Sequence, residues 1–190
     1  MATTTSRGAL ARPALTIRAA MPDDAARLAE IWNREVLEML TTTDTEPRDE
    51  AAQRAWLAQH SALYPVAVAV VGEPDAGVAG YAALTPYRPK PAFRHTVEDS
   101  VYVGRAWRGR GVGRRLLAHL LEVAAAAGHR SVLARITTAN VASRRLHEAL
   151  GFRLIGVEEE VAFKLGRWLD VATYQKSLVR ALHGPGATCS

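Results

Sequence analysis

Apolar and polar positions repeat along the chain with two different periods. Apolar side chains spaced three to four residues apart predict helices at 25–40, 49–60, 114–127 and 141–150. β-branched or alternating runs predict strands at 15–18, 66–71, 78–84, 97–103, 131–136, 157–165 and 171–178. Segments rich in proline, glycine or polar residues predict loops at 41–48, 72–77 and 85–95. Because helices and strands alternate mid-chain and strands dominate the end, we expect an α/β or α+β domain around one mixed sheet.

One predicted strand, residues 97–103, carries a carboxylate among apolar side chains. Val97, Val101 and Val103 share one face of this strand, whereas Glu98 lies on the other face with Ser100 and Tyr102. A carboxylate is costly to bury without a partner. Glu98 is therefore either half of an ion pair with an arginine or a functional group, and burial would raise its pKa toward that of a general base.

The length of 190 residues fits one domain, which we place at 15–182 between flexible tails at 1–14 and 183–190. No apolar run approaches the roughly 18 residues of a membrane helix, and the N-terminal stretch lacks the apolar middle of a secretory signal. The single cysteine, Cys189, excludes a disulfide within the chain and makes a poor nucleophile in a tail. We therefore expect a cytoplasmic protein without a membrane partner.

Charge and histidine spacing narrow the candidate ligands. The net charge is +5, and five arginines fall between residues 105 and 115. Such a compact basic cluster beside glycines suits a phosphorylated small molecule as well as it suits a nucleic acid. The six histidines are scattered, and neither HxxxH nor CxxC spacing occurs, so we expect no metal site.

The basic cluster lies in a turn that leads from the strand 97–103 directly into the helix at 114. Its alternating glycines, Gly109, Gly111 and Gly113, allow a ligand to approach the backbone closely. A helix start presents unpaired N–H groups and partial positive charge. These features together predict an anion site suited to phosphate or pyrophosphate, with charge added by Arg108, Arg110 and Arg114.

Two familiar phosphate loops do not match this turn. The dinucleotide fingerprint has two residues between its last two glycines, and here there is one. Gly104 and Gly109 have the spacing of the nucleotide P-loop, but Arg110 and Gly111 replace its lysine and its serine or threonine. A solvated strand–helix turn and an RNA-binding arginine–glycine segment are the alternatives. Because RNA-binding segments of that kind are usually disordered and this one enters a strong helix, we expect no nucleic-acid partner.

The turn and its surroundings resemble the GNAT acetyltransferases. Residues 108–113, Arg-Gly-Arg-Gly-Val-Gly, resemble the acetyl-CoA pyrophosphate motif of that family, and residues 101–103 resemble the strand that pairs with its pantetheine arm. Residues 140–143 and 146–152 resemble its second cofactor-side helix. Residues 96–103 and 163–171 further resemble phosphinothricin and methionine-sulfoximine acetyltransferases. The likeness spans about residues 15 to 180.

This resemblance implies the GNAT fold, a mixed and mostly antiparallel sheet with helices on both faces. The sheet would be splayed between the parallel strands 97–103 and 131–136, with acetyl-CoA in the gap and a homodimer as the assembly. The residues implied to hold acetyl-CoA are Val101, Tyr102, Val103, Arg108, Gly109, Arg110, Gly111, Val112, Gly113, Arg114, Asn140 and Ser143.

The resemblance also implies roles around the acceptor. Glu98 would be the general base and contact the substrate, and His147 would protonate the departing thiolate, where many GNAT enzymes use a tyrosine. Arg88 and Lys90 would face the substrate's acid group, and Phe93 stands where some phosphinothricin enzymes have a substrate-binding tyrosine. The alternatives are a structural His147, a helix-capping Asn140 and a solvated loop at 85–95.

The expected reaction is direct acetyl transfer from acetyl-CoA to the α-amine of an amino-acid-like substrate in a ternary complex. The candidate substrates are methionine sulfoximine, methionine sulfone and phosphinothricin. The alternatives are acetylation of another amine, such as a polyamine, an aminoglycoside or a protein N-terminus, and a non-catalytic acetyl-CoA-binding protein.

Overall fold

A computed structural model of the protein describes residues 14–72 and 77–179. Apart from Ala14, the predicted tail at 1–14 lies outside the described residues, as do the tail at 183–190 with Cys189 and most of the predicted turn at 72–77. None of the helices in the described part of the chain is long and apolar enough to cross a bilayer.

One mixed sheet and helices on both of its faces make up the described chain. The strands are β1 (Leu15–Ala19), β2 (Val66–Val71), β3 (Val78–Pro86), β4 (Thr96–Val103), β5 (Ser131–Thr137), β6 (Arg153–Lys164) and β7 (Arg167–Ser177). The α-helices are α1 (Ala25–Glu38), α2 (Glu50–Ala58), α3 (Val112–Ala126) and α4 (Val141–Ala149). Single 3-10 turns occur at Pro22–Asp24, Pro91–Phe93 and Arg105–Trp107. The predicted fold class is confirmed.

The sheet has the strand order β1-β2-β3-β4-β5-β7-β6, and β4 with β5 is its parallel pair. These two strands pair only over Thr96–Glu98 and Ser131–Leu133, although β4 continues to Val103 and β5 to Thr137. Beyond Glu98 the two strands therefore diverge, and a gap opens between them. The predicted splay lies where the resemblance placed it.

Two apolar cores lie on the two faces of the sheet. On one face Leu116 and Leu120 of α3 pack against Val97 and Val132. On the other face Leu28 and Ile31 of α1 pack against strand side chains that include Val68 and Tyr81. Since side chains alternate along a strand, the odd-numbered side chains of β4 face α3 and the even-numbered ones face α1.

Element ends differ from the sequence expectation mainly in the last hairpin. β6 begins at Arg153 and β7 at Arg167, four residues before the predicted starts at 157 and 171. Almost every residue of β6 is exposed, so its apolar side chains do not follow the inside–outside alternation that reveals a half-buried strand. The hairpin turns at Leu165 and Gly166, both with positive φ.

Candidate active site

A cavity of about 350 Å³ occupies the gap between the diverging strands. Residues of β4, β5, α4 and the start of α3 line this large cavity. A small cavity of about 160 Å³ lies beside it, lined by Glu98, the loop after α1 and part of β5. The two cavities share Asp99, Tyr102 and Arg135 in their linings, so they meet at the splay.

The start of α3 gives the large cavity a wall of bare backbone. Gly111 precedes the first residue of α3 with a φ of 80°, and Gly109 has a φ of 72°, which are left-handed conformations that favour glycine. At Gly113 a Cβ would lie 3.3 Å from Leu146 Cδ2 and 3.5 Å from Val103 Cγ2. The first N–H groups of the helix lack partners within the helix. This cradle fits the phosphate or pyrophosphate that the sequence predicted.

The three predicted arginines take different positions around the cradle. Arg114 lines the large cavity, as does Arg108. The guanidinium of Arg108 is held by a salt bridge to Glu35 and donates from Nε to the Val103 carbonyl at 3.1 Å. Arg110 lies over the Trp107 ring, 5.0 Å from its centre, and is not among the described residues of the cavity lining. The guanidinium of Arg114 is therefore more available to a ligand than that of Arg108.

The other residues predicted to hold pyrophosphate and pantetheine all line the large cavity. Asn140 also caps α4, since its Oδ1 accepts from the Ser143 N–H at 3.1 Å. The capping alternative for Asn140 is thus observed, together with a place beside the cavity.

Glu98 lines the small cavity, on the α1 side of the sheet. Burial raises the pKa of its carboxyl, Arg135 opposes that rise, and Asp99 and Glu158 add to it. The result is a carboxyl with a raised pKa at the edge of the gap. A carboxyl of this kind is a candidate for a general base.

His147 lines the large cavity and is almost fully buried. Its Nε2 lies 3.0 Å from Asp99 Oδ2, and its Nδ1 lies 2.7 Å from the Ser143 carbonyl oxygen. Burial lowers the pKa of His147, but the hydrogen bond and charge of Asp99 and the Ser143 carbonyl outweigh it, so the pKa is raised.

Sequence reasoning missed Asp99 and Arg135. The alternation that exposed Glu98 as unusual places Asp99 among the valines of the opposite face, so the same signal would have found it. Arg135 interrupts the apolar run of β5 between Ala134 and Ile136, and it forms a salt bridge with Glu158. Arg135 is also the basic side chain in the described lining of the small cavity.

The segment between β3 and β4 contains Arg88, Lys90 and Phe93. The guanidinium of Arg88 lies over the Tyr87 ring at 5.0 Å and near the Phe93 ring at 6.0 Å. In the described residues none of the three predicted positions lines either cavity. They therefore lie outside the two linings that contain Glu98 and His147.

The loop after α1 forms one wall of the small cavity and is anchored by a buried lysine. Lys164 Nζ donates to the Thr42 carbonyl at 2.9 Å and to the Glu35 carbonyl at 3.1 Å. Burial lowers the pKa of Lys164, and Asp44 and Glu35 oppose that shift. Lys164 thus connects the β6–β7 hairpin to the loop.

Within the described ranges, no group of three or more His, Cys, Asp or Glu side chains could hold a metal.

The chain is similar to several known proteins. Residues 28–152 match the family model described as the Acetyltransferase (GNAT) family. The chain is 38% identical to the phosphinothricin N-acetyltransferase of Streptomyces coelicolor over 163 residues, covering 85% of this chain and 95% of that protein. It is 39% identical to the L-methionine sulfoximine/L-methionine sulfone acetyltransferase of Salmonella typhimurium over 165 residues, covering 86% and 95%.

A solved structure extends the comparison to three dimensions. The GNAT superfamily phosphinothricin acetyltransferase from Sinorhizobium meliloti, crystallised in complex with acetyl-CoA, superposes with a TM-score of 0.81 at 36% identity. The superposition covers 86% of this chain and 88% of that chain.

Proposed function

The chain belongs to the acetyltransferase (GNAT) family, and from this premise we propose that it acetylates the α-amine of a small amino-acid-like substrate with acetyl-CoA. Methionine sulfoximine, methionine sulfone and phosphinothricin are the candidate substrates, in line with the names of its relatives. The observation that carries the proposal is the meeting of two cavities at the splay. One has a glycine-walled helix start, and the other has a buried carboxyl, Glu98.

The large cavity is the acetyl-CoA side of this site. Backbone N–H groups at the start of α3 and the guanidinium of Arg114 would hold the pyrophosphate, because Gly109 and Gly111 leave room for close approach. Acetyl-CoA supplies a thioester whose carbonyl carbon is open to attack by an amine. Beyond Glu98, β4 has no partner strand among the described residues on the side of the gap, so its backbone can donate to a developing oxyanion.

The small cavity is the acceptor side. Glu98 takes the proton from the substrate ammonium, and the neutral amine attacks directly across the junction of the two cavities in a ternary complex. Arg135 lies on the same face of the sheet and would bind the acid group of the substrate. Arg88, Lys90 and Phe93 lie outside the described linings, so their predicted contacts need an acceptor that extends past the small cavity.

Release of the CoA thiol from acetyl-CoA tests this proposal. The amine panel contains methionine sulfoximine, methionine sulfone, phosphinothricin, spermidine and an aminoglycoside. We expect turnover of at least one of the first three and a loss of about 10²–10⁴-fold in kcat for Glu98→Gln. The exposed Glu122→Gln on α3 is the matched control and keeps wild-type turnover.

Three other results would separate the alternatives. Turnover of spermidine or the aminoglycoside alone would contradict the amino-acid substrate and keep acetyl transfer. Binding of acetyl-CoA without turnover of any amine would indicate a non-catalytic acetyl-CoA-binding protein. Full activity in Glu98→Gln would remove Glu98 from the role of base.

We further propose that the protein is a cytoplasmic homodimer in which the β6–β7 hairpin meets its copy. β6 is an edge strand that pairs with β7 on one side and has no described partner on the other. An isologous contact between two such edges would cover the apolar side chains that the hairpin exposes. These side chains are Leu154, Ile155, Val157, Val161, Phe163, Leu165 and Trp168.

A further inference from the structure

The buried contact between Asp99 and His147 is part of an arrangement in which both ring nitrogens of the histidine have a partner. Their side chains are 1% and 3% exposed, and they join β4 to α4 at the wall of the large cavity. Both ring nitrogens of His147 face oxygens, a carboxylate at Nε2 and the Ser143 carbonyl at Nδ1. A carbonyl oxygen can only accept, so Nδ1 carries a proton and donates it to Ser143.

This arrangement defines where the next proton resides. Because Nδ1 is committed to Ser143, the proton between Nε2 and Asp99 Oδ2 belongs to the pair. The remaining oxygen, Asp99 Oδ1, is buried and has no hydrogen-bond partner in the described structure. The pair therefore holds one proton that can be given up, and Oδ1 can accept from a ligand donor.

Asp99 is the charged group that is hydrogen-bonded to the His147 ring. On its other side the ring meets Phe152 edge-on, with ring centres 4.9 Å apart. The other charged groups of the large-cavity lining are Glu35, Arg135, Arg108 and Arg114, and the Tyr102 phenol of β4 is a further titratable group there. On α4 itself, Arg144 and Glu148 are hydrogen-bonded to the Tyr174 hydroxyl.

Strand alternation separates this pair from Glu98. Glu98 and Asp99 are consecutive on β4, at and just after its last pairing with β5, so their side chains lie on opposite faces of the splay. Glu98 lies on the face toward α1, and Asp99 reaches α4 on the other. Acyl transfer to an amine needs a proton removed on the amine side and a proton supplied on the thiol side. Two carboxyls on two faces provide one group for each task.

Building on the proposed acetyl transfer, and on the resemblance that implies His147 as the proton donor to the departing thiolate, we propose that Asp99 is the positioning residue that keeps this histidine protonated. When the carbon–sulfur bond breaks, its electron pair stays on sulfur; the bond from Nε2 to its proton breaks and a sulfur–hydrogen bond forms. The pair is left as neutral His147 beside the Asp99 carboxylate, and it regains a proton from water after the thiol leaves.

The pH profile of kcat tests this role of Asp99. In the wild type, activity rises with pH as Glu98 loses its proton and falls as His147 loses its own. Asp99→Asn keeps the shape and removes the charge, so the Ser143 carbonyl is left to oppose the lowering of the His147 pKa by burial. We expect the alkaline limb to move down by about one pH unit or more, with the acidic limb unchanged. Asp23→Asn, which makes the same charge change on an exposed side chain, leaves both limbs in place.

A second measurement needs neither substrate nor turnover. Imidazole nitrogen NMR of the ligand-free protein follows the titration of His147, whose signal is identified by its loss in His147→Gln. We expect Asp99→Asn to lower this titration midpoint in parallel with the alkaline limb. Should Asp99→Asn fail to fold, His147→Gln carries the test, and it must lose the alkaline limb.

The possible failures point to different conclusions. Wild-type turnover with an unmoved alkaline limb in Asp99→Asn, or with an unmoved His147 titration, overturns this role of Asp99 and leaves acetyl transfer standing. An alkaline limb retained in His147→Gln does the same. Absence of turnover by the wild type on every amine overturns the proposed function and the thiol-side role with it.

Discussion

At the scale of single residues, Glu98 and Asp99 are neighbours in the chain with different surroundings. Glu98 borders a polar cavity near Arg135, whereas Asp99 is sealed against His147. Each carboxyl is placed by the two-residue period of β4 and by the point at which β5 departs. A shift of one residue along β4 therefore changes the face of the sheet on which a carboxylate lies, and with it the groups that surround it.

The raised pKa of Glu98 predicts a link between stability and pH. Its folded-state pKa lies above the unfolded value, so the stability it contributes is present below the unfolded pKa and is lost as pH rises through the folded one. Because glutamine does not ionise, the Glu98→Gln variant does not lose this stability as the pH rises. We expect this variant to melt at a higher temperature than the wild type at pH 8 while being less active, and the difference should shrink toward pH 4. Thermal melts across this range check it. A difference that does not change with pH, or the same behaviour in Glu122→Gln, would contradict it.

At the scale of elements, the turn before α3 combines a strand end, two left-handed glycines and a helix start. Gly111 at +80° has open space within 4 Å of where a Cβ would stand, whereas Gly113 faces Leu146 and Val103 closely. The helix cannot begin at Val112 unless the residue before it accepts this backbone conformation. The predicted start at 114 was therefore two residues late.

This turn predicts a selective effect of Gly111→Ala on cofactor affinity. A left-handed alanine costs about 1 kcal/mol, and its methyl group would project where the phosphate is expected. We expect acetyl-CoA binding, measured by calorimetry, to weaken by roughly tenfold or more. Gly166→Ala is the matched control, with a φ of +74° and open space, in the β6–β7 turn. Equal loss of affinity in the two variants would show that general destabilisation is responsible.

At the scale of the whole molecule, the two edges of the sheet are unlike each other. β1 is a five-residue edge strand, whereas β6 is a twelve-residue edge flanked by exposed apolar side chains. Phe163 and Trp168 pack against one another with ring centres 5.2 Å apart and remain 58% and 61% exposed. An apolar surface of this kind on a long edge strand is typical of an association site.

The homodimer proposal predicts that a charge at this surface separates the subunits. Trp168→Glu buries a carboxylate in the contact between copies, and we expect the mass in solution, measured by light scattering, to fall from dimer to monomer. Leu63→Glu places the same charge on an exposed apolar position outside the hairpin and leaves the mass unchanged. A wild-type protein that is monomeric at high concentration would contradict the dimer.

Local chemistry determined most of the architecture and part of the site. Periodicity located the strands and helices, because each element buries one stripe of its own sequence. The glycine turn and Glu98 were found from local composition, since alternating glycines before a helix and a carboxylate on a mostly apolar strand are unusual.

Only the tertiary structure decided which residues meet. Arg108 was expected to face a phosphate, yet its guanidinium is held by Glu35, 73 residues away in sequence. Asp99 pairs with His147 across 48 residues, and Arg135 reaches the small cavity while Arg88, Lys90 and Phe93 lie outside both described linings. Such contacts depend on how distant elements pack, and periodicity carries no information about the partner. The sequence thus identified Glu98 and His147 as candidate reactive groups, and the packing of α1 and α4 around the splayed strands set the environment of each.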